Sequence, residues 1–118
     1  MPIEIDYLDF AKYTRFVGGL ERVNQQHVDQ FLIGLEKADA RQLFSSDRVK
    51  SLGQGLFELR IEKKPDLLVR IFFCVENKGS LLVLHAYDKT LDRERDSQQA
   101  QIAIAQANLL AWMQSREG

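Results

Sequence analysis

The chain has 118 residues, a formal net charge of -1, 45% hydrophobic and 28% charged residues, which describes an ordinary globular protein with material for one modest core. No apolar run is long enough to span a bilayer, and the start "MPIEIDYLDF" lacks the basic-then-apolar pattern of a secretion signal, so the expectation is cytoplasmic with no membrane partner. Cys74 is the only cysteine, which excludes an internal disulfide and a cysteine-based zinc site; two histidines without a close carboxylate pattern give an expectation of no metal and no cofactor.

In chain order, "IEIDY" predicts a short strand. Phe10, Tyr13, Phe16 and Val17 then recur at helical spacing until Gly18-Gly19 stops the helix. A second helix places Leu20, Val23, Val28, Phe31, Leu32 and Leu35 on one side, and the short connection predicts an antiparallel helical hairpin. After a polar stretch, Gly53 and Gly55 supply backbone freedom before a strand opening near Leu56. "KKPD" turns the chain, "LLVRIFFCV" returns, "ENKG" turns again and "SLLVLHAY" completes a three-strand meander. "SQQAQIAIAQANLLAWMQ" is a helix whose apolar stripe runs through Ile102, Ala105, Leu109 and Met113, with Trp112 beside it. The fold class is therefore α+β, one domain over 1–118. The short strand and hairpin cover one face of the antiparallel meander, and the last helix lies on the other side.

Strand parity divides the meander into two faces. Phe57, Leu59, Ile61, Val69, Ile71, Phe73, Val75, Leu82, Leu84 and Ala86 make an apolar face suited to the hairpin. The opposite face has Leu68, Phe72, Cys74, Leu81 and Val83 for the last helix, and leaves Arg60, Arg70, His85 and Tyr87 as a polar remainder. A three-residue loop at 64–66 sets Arg60 opposite Arg70. A two-residue loop at Asn77-Lys78 then sets Arg70 opposite His85, and one at Lys78-Gly79 sets it opposite Tyr87; a three-residue loop would flip the faces.

Two arginines side by side on a sheet repel by a few tenths to about 1 kcal/mol, so the pair calls for an explanation. Glu58 and Glu62 neutralising them in a salt-bridged face is one; an anion site is the other, because forked guanidinium donors suit phosphate oxygens. Beside a phosphate, His85 or Tyr87 is a candidate acid or base and Lys89 a stabiliser of developing charge. The charge distribution agrees with a polyanion site: residues 48–95 carry ten basic and seven acidic groups, against five and eight before them and one and two after. Each of these residues also has an ordinary structural explanation, and His27 is too isolated to act as a ligand. No phosphate-binding glycine loop or Ser-His-Asp pattern is present.

"VKSLGQGLFELRIEKKPDLLVRIFFCVENKGSLLVLHAYDKT" resembles the core of the HigB/RelE toxin superfamily, especially its phage-derived killer-protein branch. The similarity rests on Leu52-Gly53-Gln54-Gly55-Leu56-Phe57-Glu58-Leu59-Arg60, then Arg70-Ile71-Phe72-Phe73, then Lys89-Thr90, and with the flanking helices it extends over nearly the whole chain. The resemblance implies a RelE/ParE-like fold and the toxin of a type II toxin–antitoxin pair. Such toxins enter the ribosomal A site, cleave mRNA without metal, inhibit translation and are neutralised by a small helix-turn-helix antitoxin in a hetero-oligomer. It makes Arg60 and Arg70 the RNA-contacting or phosphate-stabilising arginines and Lys89 the strand-end lysine. The expected site has Arg70, His85, Tyr87 and Lys89 in catalysis, with Arg60, Lys50 and Arg48 binding RNA or phosphate. The alternatives are a toxin of the same fold that acts by binding, as gyrase inhibitors do, and a phage- or plasmid-derived partner-binding protein without nuclease activity.

Overall fold

Largely apolar runs, "LLVRIFFCV" and "SLLVL", build the middle of the sheet, and its edges come from segments with weaker patterns. The structure is a computed structural model that describes residues 3–37, 40–63, 67–77, 80–89 and 95–117. The turns expected at 64–66 and 78–79, and Thr90 of the Lys89-Thr90 pair, lie outside the described residues. The elements are β1 (Glu4–Tyr7), α1 (Phe10–Gly18), α2 (Arg22–Glu36), α3 (Ala40–Phe44), β2 (Val49–Gly53), β3 (Leu56–Lys63), β4 (Leu67–Asn77), β5 (Ser80–Asp88) and α4 (Arg95–Glu117). The strands form one sheet in the order β1-β5-β4-β3-β2. The expected meander, β3-β4-β5, is its centre. It is extended by β2, antiparallel to β3, and by β1, parallel to β5. A parallel neighbour requires a long crossover, and here α1, α2 and the β2–β4 segment supply it.

Asp9 caps α1 by accepting the Lys12 backbone N–H at 3.0 Å, and Gly19 ends the helix with its N–H on the Arg15 and Phe16 carbonyls. The hairpin packs on one face through Leu20, Val28 and Leu32, against Leu59, Ile61, Val69, Ile71 and Phe73. Burying each of these side chains fully contributes about 1.5–3 kcal/mol. Val23, expected on that buried side, is exposed, and Asn24 is buried instead. Asn24 lies one turn before Val28 on the same stripe, and Val23 is rotated away from it. The five residues of α3 add Leu43 to the same core, with Phe44 edge-on to Phe57. Between β2 and β3 the backbone turns through three successive positive φ values, at Gly53, Gln54 and Gly55. Only the middle one is a residue with a side chain to strain.

On the opposite face α4 covers Leu56, Phe72, Cys74, Leu82 and Leu84 with Ala105 and Leu109, and Ile102 and Trp112 pack at the margin. Met113, expected in that stripe, is 46% exposed; the stripe passes through Trp112 instead.

The faces of β5 need a larger correction. Leu81 and Val83 were expected under α4 and Leu82 and Leu84 under the hairpin; in the structure they are exchanged. Two β-bulges cause this. Asn77 pairs with Ser80 but Val75 with Leu81, so β4 has one extra residue there; Phe73 pairs with Val83 but Phe72 with His85, so β5 has one extra residue at Leu84. Between the bulges parity is inverted, and beyond them it returns. Arg70 therefore faces Tyr87, the partner expected for a loop at 78–79, and Arg60 faces Arg70.

Candidate functional site

Cross-strand partners share a face, so the ladder lays out two adjacent rows under α4. One row is Lys50, Glu58, Phe72, His85; the next is Arg60, Arg70, Tyr87. The rings lie nearly parallel, with Phe72 to His85 at 6.1 Å and Phe72 to Tyr87 at 5.9 Å between centroids.

The two arginines resolve their repulsion in different ways. Arg70 is buried, and its Nη1 donates to Glu58 Oε1 at 2.8 Å; the Glu58 side chain is only 2% exposed. The neutralising carboxylate foreseen as one alternative is therefore present, as a buried ion pair and not a solvated one. Arg70 Nε is also buried and finds no hydrogen-bond partner among the described residues. Arg60 is exposed and turns its Nη2 to the Asp47 carbonyl at 2.8 Å.

The other expected residues disperse. Tyr87 is buried in the α4-side core, and Lys89 lies past the strand end, its backbone N–H on the Leu68 carbonyl at 2.8 Å. Lys50 is exposed on the edge strand. Arg48 lies over the Phe31 ring, 5.1 Å from its centroid, on the hairpin side and away from the other arginines.

His85 occupies a different environment from the one its row suggested. β1 ends at Tyr7, opposite Val83, so on that side no strand among the described residues lies beside β5 from Leu84 to Asp88. Leu8 closes the pairing by donating its N–H to the Val83 carbonyl at 2.9 Å, and α1 then crosses the gap. A cavity of about 280 Å³ remains there, with Val83, His85 and Ala86 as its floor and Asp9, Lys12, Tyr13 and Phe16 of α1 as one wall. Asn108 of α4 closes the far side, donating Nδ2 to the Leu84 carbonyl at 2.8 Å, which is a carbonyl of the bulged residue.

Burial holds the His85 pKa below its ordinary 6.5, and the Lys12 ammonium pushes it further the same way, against an opposing hydrogen bond to Gln101. The imidazole is thus neutral at pH 7. Its Nε2 meets Gln101 Oε1, and the tautomer that donates from Nε2 has Nδ1 as its basic nitrogen. The Tyr13 hydroxyl is pushed well above its ordinary range by burial and by neighbouring Tyr7 and stays protonated. Burial raises the Cys74 thiol to about 11, which makes it an inert core group. Among the described residues no cluster of three or more His, Cys, Asp or Glu is placed to hold a metal.

Lys12, Asp9, Tyr13, Gln101 and Asn108 were not foreseen as neighbours of His85. Asp9, Lys12, Tyr13 and Phe16 do have one signal in the sequence, the spacing of a single helix face.

Residues 15–109 match the profile of the phage-derived Gp49-like protein family (DUF891). The chain belongs to this family. The Gp49-like family is RelE- and toxin-like. No curated protein and no solved structure matches the chain. The matched region of this Gp49-like chain contains β2 to β5 and thus Arg60, Arg70, His85 and Tyr87, with Gln101 and Asn108 of α4. Asp9, Lys12 and Tyr13 precede it. No helix among the described residues is long and apolar enough to cross a membrane.

Proposed function

We propose that this Gp49-like protein is the toxin of a type II toxin–antitoxin pair, of the HigB-like kind, and cleaves ribosome-bound mRNA without a metal. The observation that carries the nuclease part is the placement of His85, which lines a cavity and sits one ladder row from two arginines, with burial favouring the neutral imidazole that a base requires. In the reaction Nδ1 takes the proton of a ribose 2′-hydroxyl as the 2′-oxygen bonds to phosphorus. The pentavalent phosphorane that forms is dianionic and is stabilised by the exposed Arg60, with Arg70 contributing its charge from beneath the surface. The P–O5′ bond then breaks, the 5′-oxygen takes a proton from the imidazolium, and a 2′,3′-cyclic phosphate is left; Tyr87, buried under α4, supports the His85 strand end from the core. Lys89 holds the strand beyond the scissile phosphate. Such a toxin works in the cytoplasm and is held inactive by a helix-turn-helix antitoxin.

One observation favours a second reading. Arg70 is already satisfied on Nη1 by Glu58, so the sheet face is stable without an anion, as it would be in a toxin of this fold that arrests growth by binding. Induction of the protein followed by mapping of mRNA 5′ ends separates the two. The nuclease produces new 5′ ends within ribosome-bound messages, and His85→Ala abolishes them while the protein still folds. Growth arrest without new ends would instead establish the binding mode, and absence of arrest would sink the toxin reading.

A further inference from the structure

The cavity beside His85 has a composition that cutting a phosphodiester does not require. Tyr13 and Phe16 give it flat aromatic walls, and Lys12, Asp9 and Asn108 place an ammonium, a carboxylate and a carboxamide around them. Two of these polar groups are fixed before any ligand arrives. Asp9 Oδ1 is held by the Lys12 backbone N–H as the helix cap, and Asn108 Nδ2 is held by the Leu84 carbonyl. Pockets built to seat an apolar side chain do not need preset donors and acceptors; pockets that read an edge do. At about 280 Å³ the space suits one base with its sugar and little more. Single-stranded RNA is read by splaying a base onto aromatic side chains and bonding its edge, and this set of groups offers both.

We infer that this cavity is a nucleobase site, which takes one unstacked base of the RNA strand whose backbone runs past His85. The inference rests on the nuclease reading for its substrate and adds the means of selecting it. Lys12 donates to an acceptor on the base edge, and Asp9 and the Asn108 carboxamide meet its donors. The base next to the cut is thereby chosen by α1 and α4, and the reaction by β5. An aromatic side chain of a protein partner is the competing occupant.

Titration of the ¹⁵N-labelled full-length protein with the four nucleoside 5′-monophosphates tests this. Backbone shifts should centre on Lys12, His85 and Asn108, with one base preferred, and Lys12→Ala should weaken binding by about tenfold, the value of one charge-assisted hydrogen bond, with an unchanged circular dichroism spectrum. Asp9→Asn keeps the helix cap but replaces an acceptor with a donor, so it should change which base binds best. No shifts at millimolar nucleotide, shifts confined to Arg60 and Lys89, or tighter binding of a tryptophan amide than of any nucleotide would each overturn the proposal. The 5′-end map of the same variants separates this from the nuclease reading. If the wild-type chain cuts and Asp9→Asn cuts at the same bases, the pocket proposal fails alone. If nucleotides bind in the cavity and no ends appear, the nuclease reading fails alone.

Discussion

Ser80–Val83 and Leu84–Asp88, the two halves of β5, differ first in their neighbours and only then in their residues. The first half lies between β1 and β4, all four of its side chains are buried, and three of them are apolar. Among the described residues the second half has a strand on one side only, and its other flank is lined by side chains of α1 and α4. A strand that loses a neighbour leaves backbone groups and space unfilled, and polar side chains are what can occupy both. Asn108 satisfies the Leu84 carbonyl, His85 finds Gln101, and the residual space becomes the cavity. The cavity and the polar side chains around it are gathered where β1 stops and β5 continues.

The comparison can be broken most forcefully at Phe72, the ring on which both His85 and Tyr87 lie. Phe72→Ala should cost about 3–5 kcal/mol in urea unfolding and loosen the second half of β5 more than the first, as read by amide exchange. Next comes the ion pair beneath the second half. Arg70→Ala leaves Glu58 charged and buried and should cost about 3 kcal/mol, whereas Arg70→Met with Glu58→Leu should cost less than about 1 kcal/mol. Loss of activity in the single variant is therefore no proof of a catalytic arginine; the double variant is the informative one. Asn108→Ala strands the Leu84 carbonyl and should cost about 2 kcal/mol, with exchange rising at Leu84 and His85 and not at Leu81.

The smallest effect is the sharpest in sign. Folding lowers the His85 pKa below 6.5, so the unfolded chain takes up the proton first. Stability linked to His85 is then complete above about pH 6.5 and is lost as the pH falls below it. Urea midpoints at pH 7.5 and pH 5 should move further apart in the wild-type chain than in His85→Gln. Equal movement in both would mean that the imidazole is not desolvated.

The sequence revealed the hairpin-side core because Leu59, Ile61, Val69, Ile71 and Phe73 alternate without interruption over two strands. The Arg60–Arg70 pairing was legible too, since a short loop fixes register. The faces of β5 were not, because two bulges shift register locally and no residue type announces them. β2 and α3 were missed because each spans only five residues, too few for either the two-residue or the 3.6-residue period to repeat. The cavity was out of reach for another reason. It joins α1 to β5 across some 70 residues of chain, and a helix-face spacing in "DFAKYTRF" does not say which strand it will face.

The bulge at Leu84 has a consequence for how the chain can change in length. Pairing resumes at Val83 on one side of it and at His85 on the other, so position 84 is surplus to the ladder. A deletion almost anywhere else in β5 would rotate every later residue to the wrong face. Removing Leu84 would bring Val83 and His85 into the register they already hold, with Arg70 still facing Tyr87. Only the leucine side chain and the carbonyl that Asn108 binds would go. The strand thus contains one spare residue, placed at the boundary between the half with a strand on both sides and the half that borders the cavity.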